Sequence, residues 1–463
     1  MKKITVLLCI MMLCFSPSAF AKSKQKVQPI DNQKMYLNLD WWKEYNDPML
    51  VNDLTTMYQN NHDLKIATLR VKETEKLVRL SLAQEMPSLG FTPRIERNFR
   101  SSDLYYGGVL IPDFSQTNFN FPLTMNYEVD IWGSNRLKTK SVEKRLAMAN
   151  QDEKAAYISL TSAFTADYFN LIKLDKLIQL QSQMLTTQKQ IVSLVNQKQK
   201  NGLCPVNIVL EEEKALTYMQ EDFNNLKDKR EILSNQMNVL LADSNMKPIE
   251  RNSYDDIKML DNLPQNLGTE VIQGRPDLSK AELNLQRVGY DIKIARRDFL
   301  PKFLLYGQVG FNAYDQTRMF APESQFANLG VLPSLDLFSG GRKVAMLKLR
   351  KYQYKEATME YEKAILESIQ EVNDSLGTLK IAKKNYGISV DRQNLENKEY
   401  SLISQKHEIG AASNLDTLYL RERNITAQKS VVSNKISYLI ETINLYKAVG
   451  GKNLYDLNTS KKL

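Results

Sequence analysis

The sequence predicts an α+β membrane protein in which very long antiparallel helices join a small amphipathic sheet. Three observations predict this class: strands that alternate between apolar and polar side chains, helical stretches without proline at 137–200 and 342–406, and one order of elements that occurs twice. Alternation with a period of two indicates a strand with one apolar and one wet face. Helices of this length, about 95–100 Å, exceed a globular domain and have to pack side by side.

The repeat is visible as an ordered series of matching motifs. A helical run that opens at Asp63 ends at Pro87, and a second one opens at Asp277 and ends at Pro301. Each half then reads as helix, two strands, very long helix, tight turn and helix. A single matching dipeptide arises easily by chance, but an ordered series does not, so the chain contains two structural repeats.

The first residues have the features of a secretory signal peptide. Lys2 and Lys3 form a basic start, an apolar stretch follows, and a small-residue cleavage site ends at Ala21. The apolar stretch is too short to span a bilayer as a helix. We therefore expect three segments: a signal peptide at 1–21, a first repeat at 22–262 and a second repeat at 263–463.

Two strands are predicted in each half. Those of the first half lie within about 88–131, at 88–99 and 118–130, and those of the second half lie within about 301–338 and continue to Leu337. Four strands form a sheet with two free edges, and lipid offers no hydrogen bonds to satisfy them. Closure therefore needs several copies, and two, three or four copies would give 8, 12 or 16 strands.

The helices carry apolar residues at a seven-residue spacing. A first helix is predicted from about Pro48 to Gln84, before the strands. The heptad spacing in the longer helices implies left-handed supercoiling against neighbours. A simple antiparallel coiled coil would explain these helices but would leave the strands unused. The heptad positions are Tyr157, Phe164, Leu171, Ile178, Leu185 and Val192 on the first long helix, Ile365, Ile369, Val372, Leu376, Leu379, Tyr386 and Val390 on the second, where Lys383 interrupts the seam, and Leu418, Ile425, Val432, Leu439 and Tyr446 on the last helix.

Several motifs carry a resemblance to a known family. They are Trp41-Trp42 with Asp47-Pro48, Arg275-Pro276-Asp277 leading to Phe299-Leu300-Pro301, Asp336-Leu337-Phe338-Ser339-Gly340-Gly341-Arg342, and Ala448-Val449-Gly450-Gly451. In order and spacing, the chain resembles the TolC-type outer-membrane efflux family, and more closely its drug- and metal-efflux branch (NodT-like). The match extends over essentially all of the mature chain. Many members of this branch begin with a lipidated cysteine, which is missing here, so anchoring would depend on the barrel alone.

The resemblance implies an assembly and a function. It implies a homotrimer with a 12-stranded β-barrel in outer-membrane lipid and a periplasmic α-barrel. The function implied is a passive duct that carries small molecules from an inner-membrane pump, proton-driven, through a periplasmic adaptor protein. Two alternatives stay open: a type I secretion duct for polypeptides, which has the same fold, and a secreted structural coiled coil without a channel.

Two helix-to-helix turns are the candidate functional sites. They are αα-hairpin turns in any case, and the resemblance implies that their tips bind the adaptor. It also implies that Asp416 lines a closed periplasmic aperture, whereas the family's second acid falls on Tyr419. Asp416 could equally serve only to favour the first turn of its helix. The candidate positions are Gly202, Leu203, Cys204, Gly410, Ala411 and Ser413 for docking, and Asp416, Tyr419 and Asn207 for the aperture.

An enzymatic function is not predicted. After the signal peptide the chain contains only two histidines, His62 and His407, and one thiol, Cys204, so no catalytic, metal or cofactor motif forms. The net charge of +9 is spread over intermixed lysines and glutamates. Nucleic-acid binding would instead cluster Lys and Arg on one face, and we expect no nucleic-acid partner and no cofactor.

Overall fold

The structure is a computed structural model that describes residues 37–100, 105–106, 109–110, 114–260, 263 and 267–452. The predicted signal peptide lies outside the described residues, and so does residue 262 at the predicted repeat boundary. The chain divides after Asp40 into two units, and the first reaches the described residues only at Leu37–Asp40. The second unit, Trp41–Leu463, contains the described α-helices and strands.

The described elements follow the predicted order. In the first half they are α1 (Pro48–Asn60), α2 (His62–Ala83), β1 (Ser88–Phe91), β2 (Arg94–Arg100), β3 (Tyr105–Tyr106), β4 (Val109–Leu110), β5 (Phe114–Glu128), α3 (Ser134–Lys200) and α4 (Val206–Leu241). In the second half they are α5 (Pro276–Arg297), β6 (Lys302–Ala313), β7 (Gln325–Ser334), α6 (Arg342–Glu408) and α7 (Asn414–Ala448). Short 3-10 helices lie between some of them, and another one, Leu37–Tyr45, precedes α1.

Corresponding helices of the two halves have matching lengths. α2 and α5 have 22 residues each, and α3 and α6 have 67 each. The returning helices α4 and α7 have 36 and 35 residues. At 1.5 Å per residue, each of the longest helices extends about 100 Å. Because both start just after the sheet, their far ends come at the same distance from it.

The single helix predicted from Pro48 to Gln84 is wrong in one respect, because it is broken at Asn61. Asn61 adopts non-helical angles, and its side-chain oxygen accepts a hydrogen bond from the backbone N–H of Leu64 at 3.0 Å. Its amide nitrogen donates to the Leu240 carbonyl at 2.8 Å. Asn61 therefore starts a second helix and ties it to the end of α4.

The sheet is antiparallel, with β1 and β2 both paired to β5, β5 to β6, and β6 to β7. The first predicted strand, 88–99, is therefore two segments interrupted at Thr92 and Pro93. Proline has no backbone N–H to contribute to the ladder. β3 and β4 form a separate two-stranded hairpin. The chain thus supplies four strand positions, one of which is occupied by two segments.

The register of the sheet places apolar side chains opposite each other on one face. Phe121 pairs with Phe311, Leu123 with Val309, and Leu305 with Val331. The other face carries amides, such as the facing pairs Asn120 with Asn312 and Gln308 with Asn328. Apolar residues on the first face are strongly exposed in the isolated chain, and Leu329 is 76% accessible. The predicted alternation is confirmed, and an exposed apolar face of this kind indicates an interaction surface.

The last predicted strand is shorter than expected. β7 ends at Ser334, so Leu335 and Leu337 lie beyond it. The Asp336 carboxylate lies 3.4 Å from the Lys343 ammonium, in the first turn of α6. Gly341, with φ +81°, allows the sharp change of direction into this helix. The residues that continue the alternation therefore belong to the connection between sheet and helix.

The helices pack around α3, which contacts α2 and α5 near the sheet and α4 and α7 further away; α6 packs on α5 and α7. All five heptad residues predicted on α7 are buried, with exposed fractions between 0% and 7%. The spacing therefore identified the packed face of α7 correctly. On the long helices it did so only in part: Phe164, Leu171 and Leu185 of the six predicted residues are buried on α3, and only Val372 and Leu379 of the seam are buried on α6. None of the described helices combines the length and apolarity that crossing a membrane requires.

An aromatic and polar cluster fixes the start of the second unit. The Trp41 ring stacks on the Tyr446 ring, with centroids 4.6 Å apart. The hydroxyl of Tyr168, a fully buried side chain on α3, donates to the Asp47 carboxylate at 2.8 Å and accepts from the Asn252 N–H at 3.2 Å. Asp47 also accepts from the first N–H groups of α1. One hydroxyl thus connects α1, α3 and the segment that follows α4.

Replacing Tyr168 with Phe tests this connection. Tyr168→Phe leaves the buried Asp47 carboxylate without one of its donors, so we expect the free energy of unfolding to fall by about 1–3 kcal/mol. Chemical denaturation of the detergent-solubilised protein measures the change. Tyr352→Phe, at a ring that is 67% exposed on α6, is the matched control and should leave stability unchanged. Equal losses in the two variants would contradict the assigned role.

Candidate functional site: the two helical turns

The turn between α3 and α4 and the turn between α6 and α7 share one hydrogen-bond pattern. Gly202 and Gly410 have φ values of +72° and +73°. The N–H of Leu203 donates to the Lys198 carbonyl at 2.8 Å, and the N–H of Ala411 donates to the Lys406 carbonyl at 2.7 Å. Bonds of this span around a left-handed glycine form the Schellman ending of a helix. Both glycines are therefore required by the backbone of the turn.

The first turn exposes apolar side chains but turns its thiol inward. Leu203 is 73% exposed and Val206 is 54% exposed. Cys204 is partly buried, and its sulfur donates to the Val195 carbonyl at 3.4 Å. It packs against a cluster formed by Ile191, Val195, Val209 and Leu418. Of the predicted docking residues here, Gly202 and Leu203 are at the surface, whereas the Cys204 side chain belongs to the packing beneath it.

The second turn has a polar cap and one large exposed apolar residue. The Ser413 hydroxyl accepts from the Leu415 N–H at 3.1 Å and caps α7. Ile409 is 80% exposed, and Ala411 is exposed as well. His407 Nδ1 lies 2.9 Å from the Ala412 carbonyl oxygen, so the imidazole ring takes part in the hydrogen bonding of this turn.

The three predicted aperture residues have different environments. Asp416 lies in the first turn of α7 and Asn207 in the first turn of α4, and both side chains are exposed. Tyr419 is partly buried, and its hydroxyl donates to the Glu212 carboxylate at 2.5 Å. Burial, followed by this bond, raises the pKa of Tyr419 above its ordinary value.

Glu212 connects three helices. Its carboxylate accepts from Tyr419 on α7 and, at 2.7 Å, from the amide of Gln188, a buried residue on α3. Glu212 is therefore partly buried and bonded, whereas its neighbours Glu211 and Glu213 are exposed. The two halves of the chain are joined here by a charged hydrogen bond, the stronger kind.

Glu422, one turn beyond Tyr419, has a perturbed carboxyl group. Burial raises its pKa from 4.5 to about 7, the charge of Glu212 adds to the rise, and Lys429 opposes it. One of its oxygens is buried without a hydrogen-bond partner among the described residues. Glu422 and Tyr419 line an open cavity of about 600 Å³, together with Arg392 and Glu396 of α6.

Among the described residues, no group of three or more His, Cys, Asp or Glu is placed to hold a metal ion. The paired turns, their exposed apolar residues and the charged joint behind them are the features from which a function can be inferred.

Comparison with known proteins identifies the family. The model of the outer membrane efflux protein family matches residues 54–242 and 267–451. The chain belongs to this family. Its members include the toluene efflux pump outer membrane protein TtgC of Pseudomonas putida, 24% identical over 89% of this chain and 84% of that protein. The cation efflux system protein CusC of Escherichia coli O157:H7 is 24% identical over 94% and 92%.

Solved structures agree with the fold of this outer membrane efflux protein. The CmeC outer membrane channel of Campylobacter jejuni has a TM-score of 0.82 at 21% identity, covering 92% of this chain and 90% of that chain. The MtrE outer membrane channel of Neisseria gonorrhoeae, in its open state, has a TM-score of 0.78 at 21% identity and covers 89% and 91%. The predicted family, outer-membrane location and efflux function are thus confirmed, and the secreted coiled coil without a channel is excluded.

The bond between Tyr419 and Glu212 is testable by a double-mutant cycle. Tyr419→Phe removes the donor and Glu212→Gln removes the charge of the acceptor, and we expect a coupling energy of about 1.5–3 kcal/mol because the native acceptor is charged. Hydrogen exchange of the helix-bonded amides in the second turns of α4 and α7, where Glu212 and Tyr419 lie, measures it. Tyr218→Phe on α4, at a side chain that is 68% exposed, is the control. A coupling energy near zero would mean that the two hairpins are held together by apolar packing alone.

The raised pKa of Glu422 predicts a pH dependence of stability. Because the folded pKa of about 7 lies above the ordinary 4.5, the contribution is complete below about pH 4.5 and is lost as the pH rises through about 7. We expect the thermal midpoint to fall between about pH 5 and pH 8 and the fall to be reduced in Glu422→Gln. Glu221→Gln, at an exposed position on α4, should retain the full slope. An unchanged slope in Glu422→Gln would refute the assignment.

Proposed function

We propose that this chain is one protomer of a homotrimeric duct that forms the outer-membrane part of a tripartite efflux system. It carries small molecules to the exterior after an inner-membrane pump, proton-driven, and a periplasmic adaptor have delivered them. The duct itself is passive and performs no chemistry. A type I secretion duct for polypeptides is the alternative with the same fold.

One observation carries the proposal: a sheet with a single apolar face continues directly into two helices of equal length. The apolar face suits lipid, and the amide-bearing face suits a water-filled interior. The 67-residue helices extend about 100 Å away from the sheet. This arrangement suits a protein that is anchored in the outer membrane and reaches far into the periplasm.

The free edges of the sheet support an assembly of several copies, and the family resemblance supports three. Among the described strands, β7 pairs only with β6, and β1 and β2 pair only with β5. Unpaired edges are not tolerated in hydrocarbon, so neighbouring chains have to supply the missing partners. Within each chain, the matching lengths of α3 and α6 support two structural repeats. Three copies, as the resemblance implies, close a barrel of 12 strands above a ring of helices.

The turns supply the surface that we assign to the adaptor. Leu203, Val206 and Ile409 expose apolar area at the far end of the helices, and Gly202, Gly410, Ala411 and Ser413 form the backbone around them. Desolvating such isolated apolar side chains contributes to binding. Cys204 supports this surface from below.

Asp416 and Asn207 are assigned to the periplasmic aperture. Their exposed side chains stand next to the turns, where three protomers would bring three copies of each together. At a separation of about 6 Å and an effective dielectric of about 20, two Asp416 carboxylates repel by about 3 kcal/mol before screening. Such a ring favours cations. Tyr419 contributes indirectly, by holding α7 to Glu212.

The proposed small-molecule substrates rest on the relatives. Their names refer to toluene for TtgC and to cations for CusC, which are both small solutes. An amide-lined interior is compatible with solutes of many kinds.

The decisive experiment combines mass and conductance. We expect the detergent-solubilised protein to have the mass of three protomers and to conduct ions in planar bilayers. Asp416→Asn should reduce the preference for cations, measured as a shift in reversal potential. Asp228→Asn, at an exposed position further along α4, should leave it unchanged. A monomer without conductance would overturn the proposal.

A crosslinker identifies the partner and decides between the two export functions. It is best placed at position 203, because this side chain is exposed whereas Cys204 faces inward. Capture of the adaptor of a proton-driven pump supports small-molecule efflux. Capture of the adaptor of an ATP-driven polypeptide exporter would favour the secretion duct.

A further inference from the structure

The positive charge of the chain, which from the sequence is expected to be spread along the helices, is concentrated where the helices meet the sheet. The ten residues of each of α2, α3, α5 and α6 that lie nearest the sheet contain, in total, thirteen Lys or Arg and three Asp or Glu. The ten residues of each of α3, α4, α6 and α7 that lie nearest the turns contain, in total, six Lys or Arg and seven Asp or Glu. Since the whole chain carries +9, the excess belongs to one end of the helices.

Acidic residues in the connections to the sheet cancel this charge only in part, with Asp130 at 3.9 Å from the Arg136 guanidinium and Asp336 at 3.8 Å from that of Arg342. Asp130 accepts hydrogen bonds from the first N–H groups of α3, Glu85 accepts from the Thr139 hydroxyl, and Asp336 pairs with Lys343. Further into the helices, exposed basic side chains have no ion pair among the described residues. These include Lys140, Arg296, Lys348 and Lys351.

The lengths of the strands indicate where these basic helix ends lie relative to a membrane. β6 and β7 have 12 and 10 residues, and tilted strands of about 9–11 residues span a bilayer core. The connections from the strands to the long helices carry Trp132, which is 41% exposed, and Phe338, which is 89% exposed. Aromatic rings are enriched at membrane interfaces. Ten helical residues cover about 15 Å. The headgroup layer is about 6 Å thick, and the electrostatic attraction of its charges extends a further Debye length of about 8 Å, so the basic residues of these ten positions lie within reach of the lipid charge.

The face of α6 that bears Lys348 and Lys351 can be assigned to one side of the sheet. Arg342 lies on the opposite face and lines a cavity of about 260 Å³ with Lys302 and Ser334. Lys302 and Ser334 pair with each other and occupy positions of the amide-bearing face. Arg342 is therefore on the side of the water-filled interior.

Val344, Lys348 and Lys351 lie about 180° around the helix from Arg342, because successive residues are about 100° apart. They are thus on the side of the apolar face of the sheet. The residue nearest the sheet, Val344, is apolar and 50% exposed, and the lysines follow at greater distance. This order, apolar and then basic, matches the order of hydrocarbon and phosphate in a leaflet.

We propose that the basic residues at the helix ends next to the sheet, here called the collar and including Lys140, Arg296, Lys348 and Lys351, bind the headgroups of anionic phospholipids in the leaflet that adjoins the helices. This inference rests on the proposed trimeric duct in the outer membrane. The ammonium and guanidinium groups attract phosphate electrostatically, while the apolar face of the sheet contacts the acyl chains. The collar fixes the depth of the sheet in the membrane and retains anionic lipid around the protein.

Native mass spectrometry of the solubilised assembly tests the collar. We expect the wild-type protein to retain phosphatidylglycerol or cardiolipin and the double variant Lys348→Gln/Lys351→Gln to retain several-fold less. Lys214→Gln/Lys229→Gln removes the same charge from exposed positions on α4 and should retain the wild-type amount. Lys348→Arg/Lys351→Arg keeps the charge and should also retain it. Raised salt should release the lipid from the wild type.

The outcomes separate the collar from the duct. Equal retention in the wild type and the Gln double variant, in an assembly that has three protomers and conducts, would overturn the collar and leave the duct intact. A changed ion selectivity with unchanged lipid would likewise overturn it, because the lysines would then face the interior. A wild-type protein that neither assembles nor conducts would overturn the proposed duct itself.

Discussion

The pairing of β5 with β6 is the interaction on which the arrangement of the chain depends. These strands come from different halves, and their register aligns Glu128 with Leu304 while it keeps apolar side chains on a common face. A shift by one residue would move every one of those side chains to the opposite face. The same register sets the points where α3 follows β5 and α5 precedes β6. It therefore determines the level at which the helices leave the sheet.

Much of this architecture was predictable because it depends on short-range periodicity. Alternation identified the strands, and seven-residue spacing identified the buried face of α7 from Leu418 to Tyr446. The misses occur where one residue interrupts a regular pattern. Asn61 can cap a helix or continue it, and only its contact with the Leu240 carbonyl decides the matter. Pro93 interrupts the first strand, a break that its missing N–H could have indicated.

The candidate site was predictable in position but not in its contacts. Gly202 and Gly410 locate the turns because a helix that ends in the left-handed region favours glycine. The partner of Tyr419 could not be derived, since Glu212 is 207 residues away in sequence and lies among two other glutamates. Which way Cys204 faces depends in the same manner on the packing of Val195 and Leu418. Local signals place a residue on an element, whereas its partners follow from how distant elements meet.

The equal lengths of α3 and α6 limit how such a chain can vary. Adding residues to one of these helices alone would displace its turn along the axis and rotate the faces that pack on its neighbours. Both effects cancel only when the other helix gains the same number at a corresponding position, and a multiple of seven best preserves the packed seam. Descendants of this architecture should therefore lengthen or shorten by paired, heptad-sized changes, whereas the connections at the other end of the sheet can vary freely in size.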